Sequence, residues 1–336
     1  MPASVSDVAK AVGVSTATVS RAMRNLPHVT PETRARILKA AAELGYAPSR
    51  SAAALASGRT QSIGLVAPAI SRWFFAVAIE GAEDALREAG FDALLYFLPD
   101  SAGPRPRFEA DVLRGRVDAV VVASMSFTDD EAATLKQLGV PAVFISVRQP
   151  GFIQVGIDDT LAARQAVGHL IGLGHRVIGH IGGPHRDTAP HSPTFRRRTG
   201  WRESLVAAGL DAPDRLDAAA DFTPESGLKA MHQLLDQEAG LTAVFAASDE
   251  MAMGAVQALR DRGLEAGRDV SVIGVDGHNL DDIMGLSTVV QPIRDQGARA
   301  AEILLSVLAG GPEPGEAVLF PTYVHPRRST GPPRAR

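Results

Sequence analysis

The sequence predicts an α/β protein in which a small three-helix unit precedes two parallel α/β subdomains, and three observations predict it. From residue 62 onward, apolar strand-like runs alternate with helical patterns. Before residue 60 the texture is different, with short, alanine-rich, glycine-punctuated helices of basic balance. The length, 336 residues, exceeds what one ordinary core organises, and 45% hydrophobic residues allow more than one core.

The elements follow in order. Ser4 with Asp7 three residues on forms a capping box, and Val5, Val8, Ala9 and Val12 give the first helix an apolar stripe that Gly13 ends. Ser15 caps a second helix whose Val19, Ala22 and Met23 face inward, while Thr16, Ala17, Thr18, Ser20 and Arg21 remain outside. Thr30 caps a third helix with Pro31 in its first position. Its expected apolar face is Ile37, Leu38, Ala41 and Leu44, with Gly45 at its end. Tyr46 and Pro48 close this unit, and SRSAAALASGRT after it is too short to be a stable isolated helix. The strands are then SIGLVAP, FDALLYF, VDAVVVAS, VPAVFIS, IQVGID, VIGHIGG, LTAVFAAS, VSVIGVDG and STVVQP. Strands alternating with helices imply parallel sheets covered on both faces, and so many units exceed one sheet.

Charge separates the two parts. Residues 1–60 hold eight Lys or Arg against three Asp or Glu, and the remainder holds twenty-six against thirty-five. A basic segment ahead of an acidic body is the footprint of a piece that meets a polyanion, the alternative being a solvated helix pair. Two helices joined by a tight glycine-containing turn present the second to a groove, where small side chains permit close approach to base edges and Arg21 can reach a guanine or a phosphate.

Other chemistries find little support. The chain has no cysteine, which removes disulfides, thiolate zinc sites and cysteine nucleophiles. No run of eighteen apolar residues and no signal-peptide pattern appears, so a cytoplasmic protein without membrane insertion is expected. Five histidines between 169 and 191 include no i, i+4 pair on one helix, so no metal is expected. GLGHRVIG lacks the third glycine of a dinucleotide fingerprint, and no convergent acid, base and nucleophile set stands out. The expectation is no cofactor and no enzymatic activity.

DVAKAVGVSTATVSR, followed by VTPETRARILKAAAELGYAPSRSAAAL, resembles the head of the lactose and galactose repressor (LacI/GalR) family of bacterial transcriptional regulators. The resemblance extends through LGHRVIGHIGGP, DFTPESGLKAM, LTAVFAASDEMAMGA and DVSVIGVDG to nearly the whole chain. It implies a helix-turn-helix headpiece at residues 1–47, a hinge helix at 48–61, and a core at 62–336 similar in fold to periplasmic sugar-binding proteins. The core would split into one subdomain of about 62–160 with 291–320 and another of about 161–290 with 321–330, strands crossing near 158–162, 289–292 and 318–322.

By this resemblance the DNA-binding residues are Ser15, Thr16, Ala17, Thr18, Ser20, Arg21, His28 and Tyr46, with Leu55 as a minor-groove wedge beside Ala52 in the hinge. Unstacking a base step costs a few kcal/mol, recovered from a kinked duplex that contacts more protein. The alternative for 48–61 is a flexible linker. In the cleft, Arg197 and Asp276 match the family's effector-holding arginine and aspartate. Phe74, Phe75 and Phe222 match positions that stack a ring. Ser146, Ser248 and Gln291 complete the expected effector set, and Asp249 is expected to cap the helix after Ser248. Ser146 stands where sugar-binding relatives often place an aspartate, a departure that counts against a simple pyranose. The loop GGPHRDTAPHSPTFRRR adds His185, Arg186, Thr188, His191, Arg196 and Arg198, a cationic excess that an acidic or phosphorylated sugar would suit.

The resemblance thus implies a homodimeric repressor of a pseudo-palindromic double-stranded DNA operator, controlled by a small polar effector, a sugar or a sugar-derived acid or phosphate. Two alternatives differ in class: a regulator governed by a protein corepressor, and a solute-binding protein, which the headpiece and the missing export signal oppose.

Overall fold

The computed structural model describes residues 3–23, 27–46, 58–98, 107–185 and 187–334. Ala52 and Leu55 of the expected hinge, and Arg186 of the long loop, lie outside the described residues. The chain divides into two units, Met1–Gln61 and Ser62–Arg336.

In the first unit, α1 (Val5–Val12), α2 (Thr16–Met23) and α3 (Pro31–Glu43) close on a core of Val8, Val12, Val19, Ala22, Ile37 and Ala41. Each helix begins where the side chains dictate. The Ser4 hydroxyl and the Asp7 carboxylate form a reciprocal capping box, the Ser15 hydroxyl accepts from the Thr18 amide at 3.1 Å, and the Thr30 hydroxyl accepts from the Thr33 amide. Gly13 ends α1 at φ 74°, a left-handed conformation that costs glycine nothing. The apolar face of α3 is narrower than its sequence indicates. Leu38 and Leu44 are 46% and 42% exposed, because Ile37 and Ala41, four apart, fill the inward column and Leu38 lies about 100° further round. Two arginines serve as fasteners: Arg34 donates to the Ala22 carbonyl at 2.9 Å and Arg36 to the Val12 carbonyl at 3.0 Å, satisfying oxygens that helix ends leave unpaired.

The second unit contains two six-stranded sheets. The first takes β1 (Ser62–Ala67), β2 (Asp92–Phe97), β3 (Ala119–Ala123), β4 (Ala142–Ile145), β5 (Ile153–Ile157) and β11 (Ala317–Phe320), in the order β2-β1-β3-β4-β5-β11 and parallel throughout. The second takes β6 (Ile178–Gly182), β7 (Asp217–Ala219), β8 (Ala243–Ala246), β9 (Ser271–Asp276), β10 (Ser287–Val290) and β12 (Tyr323–His325), in the order β7-β6-β8-β9-β10-β12, where only β12 runs antiparallel. The same wiring therefore occurs twice, with its switch point between the first and third strand of each set. β7, β11 and β12 are short, and the apolar-run reading does not single them out.

Between the strands run α4 (Trp73–Glu88), α5 (Asp129–Gln137), α6 (Asp159–Gly172), α7 (Pro193–Ala207), α8 (Pro224–Gln237), α9 (Asp249–Asp261), α10 (Asp281–Met284) and α11 (Ile293–Leu308). The chain passes from the first sheet's lobe to the second between β5 and α6, returns between β10 and α11, and leaves again between β11 and β12. α4 and α11 cross so closely that a Cβ on Gly297 would overlap the Ala78 carbonyl oxygen, so no larger residue fits there without moving backbone. The core of the second lobe centres on Trp201, whose ring nitrogen donates to the Ile178 carbonyl at 3.1 Å.

The last described residues lie along the second lobe. Val272 donates to the Ser329 carbonyl at 2.8 Å, the Ser287 amide donates to the Ser329 hydroxyl at 2.8 Å, and the buried His175 ring meets the Gly331 carbonyl at 2.8 Å. Burial holds His175 below the ordinary histidine pKa, so its role here is that of a neutral hydrogen-bonding wedge.

Candidate functional site

In doubly wound sheets the loops at the carboxyl ends of the strands, around the switch point, form the natural crevice. Here both lobes aim that end at one cavity of about 380 Å³. The first lobe contributes Pro68 after β1, Ser124 to Ser126 after β3, Ser146 and Val147 after β4, and Arg72, Phe74 and Phe75 at the start of α4. The second contributes Pro184 after β6, Asp221 and Phe222 after β7, Ser248 and Glu250 at the start of α9, and Asp276 at the end of β9. Asp187, Ser192, Pro193, Thr194 and Arg197 come from the long loop and α7.

Backbone strain concentrates on this wall. Among the described non-glycine residues, six have positive φ, and four of them line the cavity: Ser124 at 49°, Ser146 at 72°, Phe222 at 56° and Asp276 at 141°. Such conformations persist only where the surroundings over-determine them, and they re-aim side chains into a site.

Arg197 is 4% exposed and held on three sides. Its Nε and Nη2 lie 2.9 and 2.8 Å from Asp159 Oδ1, Nη1 donates to the Ala247 carbonyl, and Nη1 stands 3.9 Å from Asp276 Oδ1. Five donors less these bonds leave one N–H on each terminal nitrogen for the cavity. Burial raises the Asp159 carboxyl above its ordinary value, and the Arg197 charge opposes that rise. A buried arginine needs a buried counter-charge, a requirement that calls for an acid beside Arg197 without saying which one.

Asp276 accepts from Gln291 at 2.7 Å, and Gln291 in turn accepts from Gln296 of α11 at 3.0 Å. Gln291 does not line the cavity; it stands behind Asp276 and links it to a helix of the other lobe. Burial pushes the Asp276 carboxyl up to about 8, with Arg197 pulling the other way, so near pH 7 the group is largely a neutral carboxyl able to donate or accept. Ser248, not Asp249, caps α9, its hydroxyl accepting from the Met251 amide at 3.3 Å while also lining the cavity. Asp249 occupies the first helical position and turns inward, away from the capping geometry.

Several wall residues were not singled out by sequence reasoning. Glu250 lines the cavity together with Arg72; burial raises its carboxyl and the Arg72 charge opposes the rise, so a carboxylate of the second lobe faces the start of α4 in the first. Trp73 packs on His278, ring centroids 4.5 Å apart. These contacts span the lobes, and no local pattern announces them. Two of the extra arginines, Arg196 and Arg198, behave differently from expectation. Arg196 pairs with Asp158 at 2.9 Å and Arg198 with Asp217 at 3.0 Å, and neither lines the cavity. His185 stands 3.7 Å from Asp217, outside the wall as well.

In the first unit, Ser15, Thr16, Ala17 and Arg21 are exposed at the start and along the outer side of α2, with Thr18 and Ser20 half-buried beside them. His28 is exposed with φ 70°, and Tyr46 is half-buried against the three-helix core. Among the described residues no group of His, Cys, Asp and Glu could hold a metal ion, and no helix is long and apolar enough to cross a membrane.

Comparison with known proteins follows the same division. Residues 4–49 match the family model for bacterial regulatory proteins of the lacI family, and residues 167–330 match that for a periplasmic binding protein-like domain. The chain is 32% identical to catabolite control protein A of Priestia megaterium, over 98% of this chain and 100% of that one. It is 33% identical to the HTH-type transcriptional regulator CelR of Thermobifida fusca, over 96% of each. Among solved structures it is similar to the lac repressor dimer bound to operator and the anti-inducer ONPF, with TM-score 0.86, 26% identity, and coverage of 98% and 100%. It is similar also to a complex of transcriptional regulator CelR with cellobiose, with TM-score 0.71, 32% identity, and coverage of 97% and 99%.

Proposed function

The chain belongs to the LacI family of bacterial regulatory proteins, and from that premise we propose that it is a cytoplasmic, dimeric repressor whose grip on DNA is set by an uncharged sugar-like effector. Thr16, Ala17 and Arg21 of α2 read the major groove of each half-site, flanked by Ser15, Thr18, Ser20, His28 and Tyr46. Residues 48–61 carry the hinge, with Ala52 and Leu55 at its minor-groove face.

The observation that carries the effector reading is the convergence of Arg197, Asp276 and Phe222 on one cavity between two sets of strand ends. Arg197 donates to ligand oxygens, Asp276 exchanges hydrogen bonds with hydroxyls, and Phe222, with Phe74 and Phe75 opposite, covers an apolar ring face. Ser146 and Ser248 add short hydroxyls, and Gln291 supports Asp276 from behind. The wall carries the carboxyls of Asp187, Asp221 and Glu250, with Asp276 held largely neutral, against Arg72 and Arg197. Asp159 already pairs with Arg197, and Arg196 and Arg198 pair with Asp158 and Asp217. This balance favours an uncharged polyol over the acid or phosphate that the loop's composition invites.

An effector that binds one closure of the lobes better than another shifts the equilibrium by its differential affinity alone. The test is a thermal-shift screen of sugars, sugar acids, sugar phosphates and nucleosides, followed by operator titration with each stabilising compound. A neutral sugar that stabilises the core and changes operator affinity supports the reading. Stabilisation by anions alone, or ligands without effect on operator binding, would sink it.

A further inference from the structure

We propose that Asp217 is a positioning residue, a buried carboxylate that sets the rotation of α7 about its own axis and thereby aims Arg197 into the cavity. The way to it leads through His180. His180 and Asp217 are both buried and are register partners on the adjacent parallel strands β6 and β7, with His180 Nδ1 2.8 Å from Asp217 Oδ1. An ionised carboxylate only accepts, so Nδ1 carries the proton and Nε2 is left with a lone pair. That lone pair meets no donor among the described residues. The ring lies between Trp201 of α7 and Phe245 of β8, centroids 5.3 and 5.4 Å away, and so close over β6 that a Cβ on Gly182 would overlap it. Burial keeps the ring below the ordinary histidine pKa, since a second proton would be stranded in that aromatic slot.

The other oxygen of Asp217 faces cations. Oδ2 is 3.0 Å from Arg198 Nε, 3.5 Å from Arg202 Nη2 and 3.7 Å from His185 Nε2. Arg202 is partly exposed and pairs with Asp214 at 2.7 Å, and His185 lies at the surface. Arg198 is different. Its side chain is 15% exposed, and Asp217 is its counter-charge. Burial pushes the Asp217 carboxyl up, but the His180 hydrogen bond and the Arg198 charge outweigh it and hold the group below its ordinary value, as a carboxylate. Arg198 Nη2 also donates to the Gly183 carbonyl at 3.2 Å, where β6 gives way to the cavity wall at Pro184.

These contacts fix the turn of α7 that carries Arg197. Arg196 and Arg197 reach Asp158 and Asp159 at the start of α6, while Arg198, about 100° further round, reaches β7. A helix tied to one neighbour can roll against it; a tie to a second element stops the roll. Asp217 acts on α7 a second time through His180, whose ring lies under Trp201, one turn beyond Arg197. The tie stands on these distances alone, whereas its bearing on effector binding rests on the reading of the cavity given above.

The test reads Arg197 without any ligand. In full chains isotopically labelled at arginine and tryptophan nitrogens, the Arg197 Nε–H, bonded to Asp159 at 2.9 Å, reports the cavity end of α7, and the Trp201 ring N–H, bonded to the Ile178 carbonyl at 3.1 Å, reports its body. The Arg197 signal is assigned by its loss in Arg197→Lys. Solvent exchange of both protons is compared by NMR at neutral pH in the parent, Asp217→Asn, Arg198→Met and the double variant. Asparagine keeps an oxygen for His180 and removes the charge that holds Arg198. Each single variant should speed exchange at Arg197 by about ten-fold or more while Trp201 changes by less than about two-fold. The double variant should be no faster than the faster single, because both substitutions remove one contact. A carboxylate that served only the general stability of the lobe would speed both protons alike. Should Asp217→Asn fail to fold, Arg198→Met carries the same expectation. An Arg197 proton as protected in Arg198→Met as in the parent, equal acceleration at Arg197 and Trp201, or additive single effects would overturn the proposal, and each leaves the effector reading to its own screen.

Discussion

Removing the Asp159 carboxylate should strand Arg197, and the cost can be worked from the geometry. Asp159 is 1% exposed; one of its oxygens accepts from Arg197 Nε at 2.9 Å and stands 2.8 Å from Nη2. In Asp159→Ala the cation keeps only the Ala247 carbonyl and Asp276 at 3.9 Å. Breaking a buried pair from one side costs about 3–5 kcal/mol, because the partner remains desolvated and unpaired. For a unit of this size that corresponds to a fall in Tm on the order of 10 °C. The control is Arg196→Ala. Its pair with Asp158 is 2.9 Å long but partly solvent-exposed, so screening holds its worth below about 1 kcal/mol. Calorimetry on the full chain, following the transition of the core unit, measures both. Equal, small losses in the two variants would refute the claim that Asp159 holds Arg197 in place, as would an Asp159→Ala protein whose response to effector matches the parent's.

Three further outcomes are expected. Arg21→Ala should lose about 1–3 kcal/mol of operator affinity if the contact is bidentate to guanine, and footprinting should reveal a protected site with dyad symmetry; an unchanged affinity or an asymmetric footprint contradicts the α2 assignment. Light scattering at micromolar concentration should return twice the chain mass, and a monomer that binds operator tightly would break the symmetric arrangement. Arg197→Ala and Asp276→Ala should each abolish the effector's influence on operator binding while leaving affinity without effector nearly intact, since the operator contacts lie elsewhere; variants that respond like the parent would move the effector site away from these two residues.

Legibility in the sequence tracks the range of the interaction. The capping box at Ser4 and Asp7, the glycine that ends α1, and the nine apolar runs are local, and each is visible in a window of a few residues. Periodicity cannot say how many columns a small core accepts, so it draws the α3 face too wide, and Leu38 and Leu44 lie outside. The loop arginines illustrate the opposite limit. Composition collected Arg196, Arg197 and Arg198 as one basic cluster, yet successive positions on a helix point about 100° apart. Only the middle one turns to the cavity, and its neighbours find Asp158 and Asp217. Asp159, Glu250 and Asp217 act through partners distant in sequence, a relation that no spacing rule encodes. Acids favour helix starts, so the sequence points to Asp249 as a cap; the shift of that role by one residue to Ser248 leaves a carboxyl for the interior.

The way β11 and β12 complete the two sheets bears on how the molecule comes off the ribosome. The first sheet begins with residue 62 but is not finished until residues 317–320 pair beside β5, and its covering helix α11 is made only at 293–308. The second lobe waits as well, for 323–325 along β10 and for Ser329 and Gly331 to dock. Neither lobe can close its hydrogen bonds before residues 317–331 have been made, whereas the three-helix unit is complete from residue 46 on. Nascent chains should carry a folded, basic headpiece ahead of an open, apolar, strand-rich intermediate, the species most exposed to aggregation and to chaperone capture.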